Sequence, residues 1–365
     1  MSNISMKSLK ENFQKRHIII IGSGIIGKFN ALELSELGFK ITLIDPNQLQ
    51  NSSNAALGLL MGNMYQKRRG RSWDLRKQSI QLWPQWITFL QKFNYELNIE
   101  NPLIQLTTNE EKFKKLEKFI LENNDPNLQI LEKDSIFLRN INKAFQTKNI
   151  KGMVSLKDGR INALSLLQTL DKYLKHKNIN FLQGEIIKIR KSKNQWISTT
   201  RYNDEIKSDI VILCNSLKSV DLIEGLTHNI KLKPVLGQAI EVDISDAEVD
   251  LLSLPKQFNI NGTNIIPKSK NKLIIGSTDE YSTNPEENIY EKLTNFLDKK
   301  PNWLTKGKIS KKWFGIRSRP DGEPSPIMRN LEDGLIICTG FYKNGILLAP
   351  ACSKWVANEV KNYLS

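Results

Sequence analysis

Three glycines and one aspartate near the start of the chain have the types and spacing of a dinucleotide-binding site. Gly22, Gly24 and Gly27 form the pattern G-x-G-x-x-G, and Asp45 follows the next apolar run. The first glycine allows a tight turn, the second lets the backbone approach a pyrophosphate, and the third lets a helix pack closely on a strand. A carboxylate at Asp45 can accept hydrogen bonds from ribose hydroxyls. The residues predicted to contact the dinucleotide are Gly22, Ser23, Gly24, Ile25, Ile26, Gly27 and Asp45.

The segments around these glycines predict a strand, a helix and a second strand. Residues 17–21 include four consecutive isoleucines, as a strand buried on both faces would. Residues 28–37 carry apolar side chains at helical spacing, and Gly38 is suited to end that helix. Residues 41–44 predict a second buried strand. Such a βαβ unit directs the helix N-terminus at the phosphates, although glycines that serve packing alone are the alternative interpretation.

The rest of the chain predicts two domains with a cleft between them. Its 365 residues exceed the usual single core. The α/β pattern returns at 207–215 and 334–340, whereas 235–242 and 272–277 predict a more antiparallel region. We therefore expect an α/β fold, with a discontinuous Rossmann-type domain and a smaller α+β substrate domain whose sheet is mostly antiparallel. The predicted boundaries are a basic tail at 1–16, a nucleotide-binding domain at 17–75, 150–233 and 311–365, and a substrate domain at 76–149 and 234–310.

The histidines and cysteines disfavour several kinds of catalysis. His17, His176 and His228 have no serine or cysteine in a nucleophile context nearby, which argues against triads and histidine-bound metals. The three cysteines are far apart and odd in number, as free thiols of a reducing compartment would be. We therefore expect a cytoplasmic protein without a metal, and apolar runs too short to span a membrane. The reaction chemistry then comes from a cofactor.

The net charge of +15 has two interpretations. An anionic partner such as nucleic acid would favour it. A compositional bias toward Lys, Asn and Ile explains it without such a partner, because the lysines are spread through the chain. We favour the compositional interpretation, with the basic cluster at residues 67–71 as the segment to examine.

Several later segments resemble the D-amino-acid oxidase / glycine oxidase family of FAD-dependent oxidoreductases, and the glycine oxidase branch most closely. The likeness covers nearly the whole chain after residue 16. Residues 339–350, T-G-F-Y-K-N-G-I-L-L-A-P, resemble the family's C-terminal T-G-H-x-R-N-G-I-L-L-A-P. Further resemblances lie at 54–60 (the loop that wraps the flavin), 234–238 (P-V-R-G-Q), 266–278 (a strand pair over the flavin) and 315–324 (G-L-R-P…D-G-x-P).

The resemblance implies non-covalent FAD, an amino acid or secondary amine as substrate, hydride transfer to flavin N5, and dioxygen as acceptor. It also implies that Arg317 binds the substrate carboxylate, with Lys343 and Asn264 on the same side. The cofactor residues that it adds are Ser53, Asn54, Ala55, Ala56, Gly58, Leu59, Ile187, Gly340, Asn344, Gly345, Ile346 and Leu347. No cysteine lies near Arg317 in the sequence, so a cysteinyl-flavin bond is not expected.

The departures from the family pattern concern the substrate side. Phe341 replaces the usual histidine, Lys343 replaces an arginine, and Leu236 replaces the arginine of P-V-R-G-Q. Asn264 stands roughly where glycine oxidases have a tyrosine, and Asn215 follows the strand after which a glycine is usual. We therefore expect a substrate other than glycine.

Three other functions remain open at this point. The first is a flavin oxidase that acts on an amine carried by tRNA, for which the +15 charge could hold RNA phosphates. The second is a non-catalytic protein that keeps FAD for stability or partner binding. The third is a nicotinamide dehydrogenase, against which residues 339–350 argue.

Overall fold

The chain alternates between two large sheets and the helices that cover them. The computed structural model describes residues 15–47, 51–147, 149–226, 229–245 and 249–364, so most of the predicted tail 1–16 and His228 lie outside the described residues. The strands are β1 (His17–Ile21), β2 (Lys40–Asp45), β3 (Leu59–Leu60), β4 (Leu103–Thr107), β5 (Leu128–Ile130), β6 (Lys151–Ser155), β7 (Gly159–Arg160), β8 (Asn180–Gln183), β9 (Ile186–Ser192), β10 (Gln195–Thr200), β11 (Glu205–Ser208), β12 (Ile210–Leu213), β13 (Leu232–Asp243), β14 (Phe258–Ile260), β15 (Thr263–Pro267), β16 (Lys272–Gly276), β17 (Lys308–Pro320), β18 (Ile327–Glu332) and β19 (Leu335–Thr339). The α-helices are α1 (Ile25–Glu36), α2 (Arg71–Leu90), α3 (Glu110–Asn123), α4 (Ile136–Phe145), α5 (Ala163–His176), α6 (Ile289–Thr294), α7 (Asn302–Thr305) and α8 (Gly345–Leu364).

The first large sheet confirms the predicted Rossmann-type arrangement. Its six strands follow the order β18-β19-β12-β1-β2-β8. All neighbours pair in parallel except β18, which is antiparallel to β19. The connection through α1 runs from β1 to β2, whereas β12 pairs with the other side of β1. The strand order therefore reverses at β1, and such a switch point opens a crevice at the carboxyl ends of the strands.

The isoleucine run of β1 is buried because both faces of this sheet are covered. Ile18 and Ile20 lie in a core formed with α1, α2, α5 and α8. Ile19 and Ile21 lie in a second core with Trp196 of β10, on the opposite face. There β9, β10 and β11 form a separate three-stranded sheet. The alternation of side chains along a strand explains why the sequence reads as continuously apolar.

The second large sheet is mostly antiparallel, as predicted. Its order is β17-β13-β16-β15-β14-β4-β6-β5, and β14 with β4 is its parallel pair. The long strands β13 and β17 pair along their whole length, from Leu232 opposite Pro320 to Asp243 opposite Lys308. Helices α4, α6 and α7 pack against one face of this sheet in a core of their own.

Two elements lie on the other side of a predicted domain boundary. The predicted substrate domain includes residues 76–90, but the apolar face of α2 packs in the core of the parallel sheet. There Trp83 contacts Phe29 edge-on at a centroid distance of 5.4 Å, and its Nε1 donates to Leu347 O at 3.0 Å. Strand β17 pairs with β13, although residues from 311 onward were assigned to the nucleotide-binding domain. The sequence pattern of a helix or strand predicts that its apolar face is buried, but it does not predict which sheet that face packs against.

Candidate active site

A cavity of about 580 Å³ lies between the two large sheets. One side is formed where β1, β2, β12 and β19 end, because the residues at their carboxyl termini line it. The other side contains residues of β13, β15 and β17. The cavity therefore occupies the switch-point crevice that the parallel sheet predicts, and the second sheet closes it.

The three glycines of the G-x-G-x-x-G motif have different structural roles. Gly22 has a φ of +102°, and a Cβ there would lie 2.6 Å from Cys214 O. A Cβ at Gly27 would lie 1.8 Å from Gly22 O, so this glycine allows α1 to pack on β1. Gly24 lines the cavity at the N-cap of α1 with an extended backbone, and a Cβ there would lie 3.0 Å from Ser53 Oγ. Ser53 Oγ also accepts a hydrogen bond from Ile25 N at 3.0 Å.

Asp45 lines the cavity where β2 ends. Its carboxylate accepts hydrogen bonds from Ser23 N at 2.7 Å and Asn47 N at 2.6 Å. A carboxylate has about four lone-pair sites, so it retains capacity for ribose hydroxyls. The backbone N–H of Ser23, a predicted cofactor contact, thus orients the Asp45 carboxylate.

The loop at residues 51–59 presents small side chains to the cavity and lies close to the second sheet. Trp313 Nε1 donates to Ala55 O at 3.2 Å. A Cβ at Gly315 of β17 would lie 2.7 Å from Ala55 Cβ, so only a glycine allows this approach. The loop is thus held between the two sheets and lines the cavity, and the resemblance predicts that it wraps the flavin.

Most of the predicted cofactor residues line this one cavity. Those that do are Gly22, Gly24, Ile25, Ile26, Asp45, Ser53, Ala55, Ala56, Gly58, Leu59, Asn344, Gly345 and Ile346. Those that lie outside its lining are Ser23, Gly27, Asn54, Ile187, Gly340 and Leu347.

The residues outside the lining have structural surroundings that explain their position. Ile187 is 49% exposed, and its neighbours 184–186 line the cavity in its place. Gly340 forms a turn with a φ of +69°, where a Cβ would lie 2.9 Å from Pro320 Cγ. Leu347 is buried inside α8 and accepts the Trp83 hydrogen bond. Asn54 N donates to Asn51 Oδ1 at 2.8 Å within its own loop.

The three residues predicted on the substrate side line the same cavity. We call Asn264, Ser277, Arg317, Tyr342 and Lys343 the polar wall, since they bring polar side chains to the cavity. Asn264 Oδ1 accepts a hydrogen bond from Asn259 Nδ2 at 2.8 Å, which fixes its amide. Sequence reasoning missed Ser277 and Tyr342, although both lie within segments that it singled out.

Arg317 is held against the backbone of β13. A Cβ at Gly237 would lie 2.1 Å from Arg317 Nη2, so the guanidinium occupies the space above this glycine. Arg317 Nη1 donates to Thr278 O at 3.0 Å, and Nη2 donates to Ser277 Oγ at 2.7 Å. Burial lowers the pKa of Arg317 and nearby Asp279 raises it, but an arginine stays charged in proteins.

The carboxylate of Asp279 accepts hydrogen bonds from three donors of the polar wall. Its Oδ1 accepts from Arg317 Nη1 at 3.1 Å and from Tyr342 Oη at 3.2 Å, and its Oδ2 pairs with Lys343 Nζ. Burial, followed by the Asp279 charge, raises the pKa of Tyr342 to about 12, so its hydroxyl is a donor at neutral pH. No sequence pattern indicated Asp279, because it follows a strand of ordinary composition.

Comparison with known proteins decides the family. Residues 17–359 match the sequence model of a family described as FAD dependent oxidoreductase. The chain belongs to this family. It is 22% identical over 356 residues to the glycine oxidase of Pseudomonas aeruginosa, which covers 93% of each protein. It is 23% identical over 354 residues to the bifunctional protein ThiO/ThiG of Synechocystis, covering 94% of this chain and 51% of that relative, so it spans about half of that length.

A solved structure shares the fold. Glycine oxidase from Bacillus cereus aligns with a TM-score of 0.82 at 22% identity, over 95% of each chain. The resemblance inferred from the sequence motifs is therefore confirmed, and this FAD-dependent oxidoreductase is an enzyme whose cofactor is FAD.

The cavity of this FAD-dependent oxidoreductase has a donor set that fits FAD. The N-termini of α1 and α8 both lie at it, and their positive dipole ends suit a pyrophosphate and an electron-rich ring. Asp45 suits the ribose, and the small residues of the 51–59 loop leave room for a flat ring system.

Two arginines of the basic cluster at 67–71 contact other residues of the chain, whereas Lys67 and Arg69 are exposed. Arg68 lies over the rings of Trp73 and Phe119, with centroid distances of 4.3 Å and 5.2 Å. Arg71 Nη2 donates to Met328 O at 3.0 Å. Two of its arginines therefore have structural partners.

The described residues include three free cysteines but no metal-binding cluster and no membrane-spanning helix. Cys214, Cys338 and Cys352 are free thiols, and burial raises the pKa of Cys214 to about 12. Among the described residues, no three His, Cys, Asp or Glu side chains are grouped to hold a metal ion. None of the described helices combines the length and apolar character needed to span a bilayer.

Proposed function

We propose that the protein oxidises the C–N bond of an amino acid or a secondary amine. The observation that carries the proposal is the position of Arg317 in the cavity that also contains the predicted FAD-contacting residues. When bound, FAD supplies the acceptor for a hydride from the substrate Cα, with dioxygen as the terminal electron acceptor.

The polar wall supplies binding and orientation. Arg317 is suited to a substrate carboxylate, because its planar fork forms paired hydrogen bonds. Lys343 adds a second positive charge beside it. Asn264, whose amide is fixed by Asn259, offers its remaining polar groups to the substrate amine.

The test is anaerobic mixing of the purified holoenzyme with a panel of amino acids and amines, followed by the flavin absorbance. We expect bleaching by at least one α-amino acid or N-substituted amino acid, and slower bleaching by the matched amine without the carboxylate. Bleaching by no member of the panel would favour the non-catalytic alternative.

Arg68 and Arg71 of the 67–71 cluster have partners within the chain, so the alternative of an amine on tRNA is supported there only by the exposed Lys67 and Arg69. We therefore propose a small-molecule substrate. A steep salt dependence of tRNA binding, measured on the same preparation, would argue for the alternative.

A further inference from the structure

One carboxylate lies among the cations of the polar wall. Asp279 contacts Arg317, Tyr342 and Lys343, and all three of these donors line the cavity. Arg317 and Lys343 carry two positive charges, and Asp279 carries one negative charge. The cluster therefore retains a single positive charge on the side where a substrate would bind.

The neighbouring charged groups do not change this balance. Glu280 is buried, accepts from Gln238 Nε2 at 3.1 Å, and its charge acts to raise the pKa of Arg317, but Lys292 Nζ lies 4.0 Å from its carboxylate and offsets that charge. Arg319, like Asp279, is exposed and lies outside the cavity lining, but its contacts are with Tyr281 and Tyr342 and not with the two cations of the wall. Its guanidinium stacks over Tyr281 and Tyr342 at centroid distances of 5.7 Å and 5.3 Å.

The hydrogen bonds of Arg317 also indicate room for a single carboxylate. A guanidinium has five N–H donors. Within the described part of the chain, Thr278 O, Asp279 Oδ1 and Ser277 Oγ accept three of them. The two that remain are the number that one carboxylate takes in a bidentate pair.

We propose that Asp279 restricts the site to substrates with one carboxylate. It cancels one of the two positive charges of the wall, so a first carboxylate uses the remaining charge. A second carboxylate would enter the cavity with no positive charge left to compensate its lost hydration. Asp279, which contacts Arg317 and Lys343 from outside the cavity lining, would repel it, and the dianion is rejected. The inference rests on the proposed function, because it takes Arg317 and Lys343 as the groups that hold the substrate carboxylate.

The experiment compares two acids that are shaped like secondary amine substrates but contain sulfur in place of nitrogen. (Methylthio)acetate carries one carboxylate and thiodiacetate carries two. Their affinities for the FAD-loaded protein are measured by isothermal titration calorimetry and by the change in the flavin spectrum. Wild-type protein is compared with Asp279→Asn, which removes the charge at nearly constant shape, and with Asp279→Glu, which retains it. Asp279→Ser is a second neutral variant, and FAD content shows that each variant folds.

We expect wild type and Asp279→Glu to prefer the monoanion. In both neutral variants the ratio of affinities should shift toward the dianion by about tenfold or more, which is about 1.4 kcal/mol. The shift should shrink as salt is raised, because it is electrostatic.

Three results would overturn the proposal. The first is a ratio of the two affinities that stays within twofold of the wild-type ratio in the neutral variants. The second is an equal loss of both affinities in those variants, which would make Asp279 only a support for Arg317. The third is that neither acid binds to wild type or to any variant. Because neither thioether is a substrate, these results are independent of the flavin-bleaching test. A failure of bleaching alone would count against the proposed oxidation and leave the charge selectivity measurable.

Discussion

Arg317 can hold a carboxylate only if its guanidinium keeps the position that its neighbours give it. Gly237 provides the space, and Ser277 and Thr278 accept hydrogen bonds that set the direction of the fork. Asp279 supplies the counter-charge without which two cations would repel each other in a partly buried place. The residue therefore functions as part of a cluster drawn from three strands and their loops.

Replacing Arg317 tests the role of this cluster. With a carboxylate substrate, we predict that Arg317→Ala lowers kcat/KM by roughly 30-fold to several-thousand-fold, because losing a buried charged pair costs about 2–5 kcal/mol. Arg317→Lys should recover part of the loss, since one ammonium cannot reproduce the planar fork. FAD content should be normal in both. The measurement is stopped-flow flavin reduction with an amino acid and its decarboxylated amine.

The matched amine is the control for this prediction. It lacks the carboxylate, so its rate should change much less than that of the acid. An Arg317→Ala enzyme that remains within about threefold of wild type on the acid, far below the loss expected for a buried charged pair, would remove Arg317 from the substrate site.

At the scale of elements, the β1–α1–β2 unit was predictable because its signals are local. Strand burial, the glycine spacing and Asp45 lie within one short segment, and each had one dominant physical reason. The structural role of each glycine was harder to predict from the sequence. The left-handed backbone belongs to Gly22 with a φ of +102°, whereas Gly24 has a φ of −65° and contributes space.

Space at Gly24 gives a prediction about the N-terminus of α1. We predict that Gly24→Val abolishes FAD binding, because a branched side chain would fill the approach to the pyrophosphate. Gly24→Ala should bind FAD more weakly than wild type but measurably. FAD content after purification and titration of apoprotein by flavin fluorescence are the measurements.

Ser53 provides the control, because its Oγ is the atom nearest to a Cβ at Gly24. If valine only displaced Ser53, then Gly24→Val in a Ser53→Ala background would regain FAD. We expect no recovery, since the obstruction is to the cofactor. Recovery would show that Gly24 serves the packing of the 51–59 loop.

Contacts between distant elements could not be predicted from the sequence. The pairing of β17 with β13 and the packing of α2 near α8 depend on which apolar faces meet, and local periodicity contains no such information. The same limit explains Asp279. Its partners Arg317, Tyr342 and Lys343 lie 38, 63 and 64 residues away along the chain.

At the scale of the whole molecule, the cavity connects the two sheets. Residues of β1, β2, β12 and β19 line one side, and residues of β13, β15 and β17 line the other. A cofactor that contacts both sides links them. Its binding free energy therefore contributes to the stability of the folded chain, because an unfolded chain offers no such site.

Removal of FAD should consequently destabilise the protein, and we predict that the cofactor is released without breaking a covalent bond. Acid precipitation should leave a yellow supernatant that chromatographs as FAD, since the described cysteines Cys214, Cys338 and Cys352 are buried or partly buried thiols with raised pKa values.

For intact apoprotein, free FAD at about 100 times its dissociation constant should raise the free energy of unfolding by about 2.7 kcal/mol, and at about 1,000 times by about 4.1 kcal/mol. The measurement is the melting temperature against FAD concentration, with riboflavin as the control because it lacks the pyrophosphate and adenosine that the α1 end of the cavity is expected to bind. Flavin that stays with the precipitate would contradict non-covalent binding. A melting temperature that is independent of FAD would contradict a cofactor that links the two sheets, and an equal effect of riboflavin would remove the β1–α1–β2 unit from the binding site.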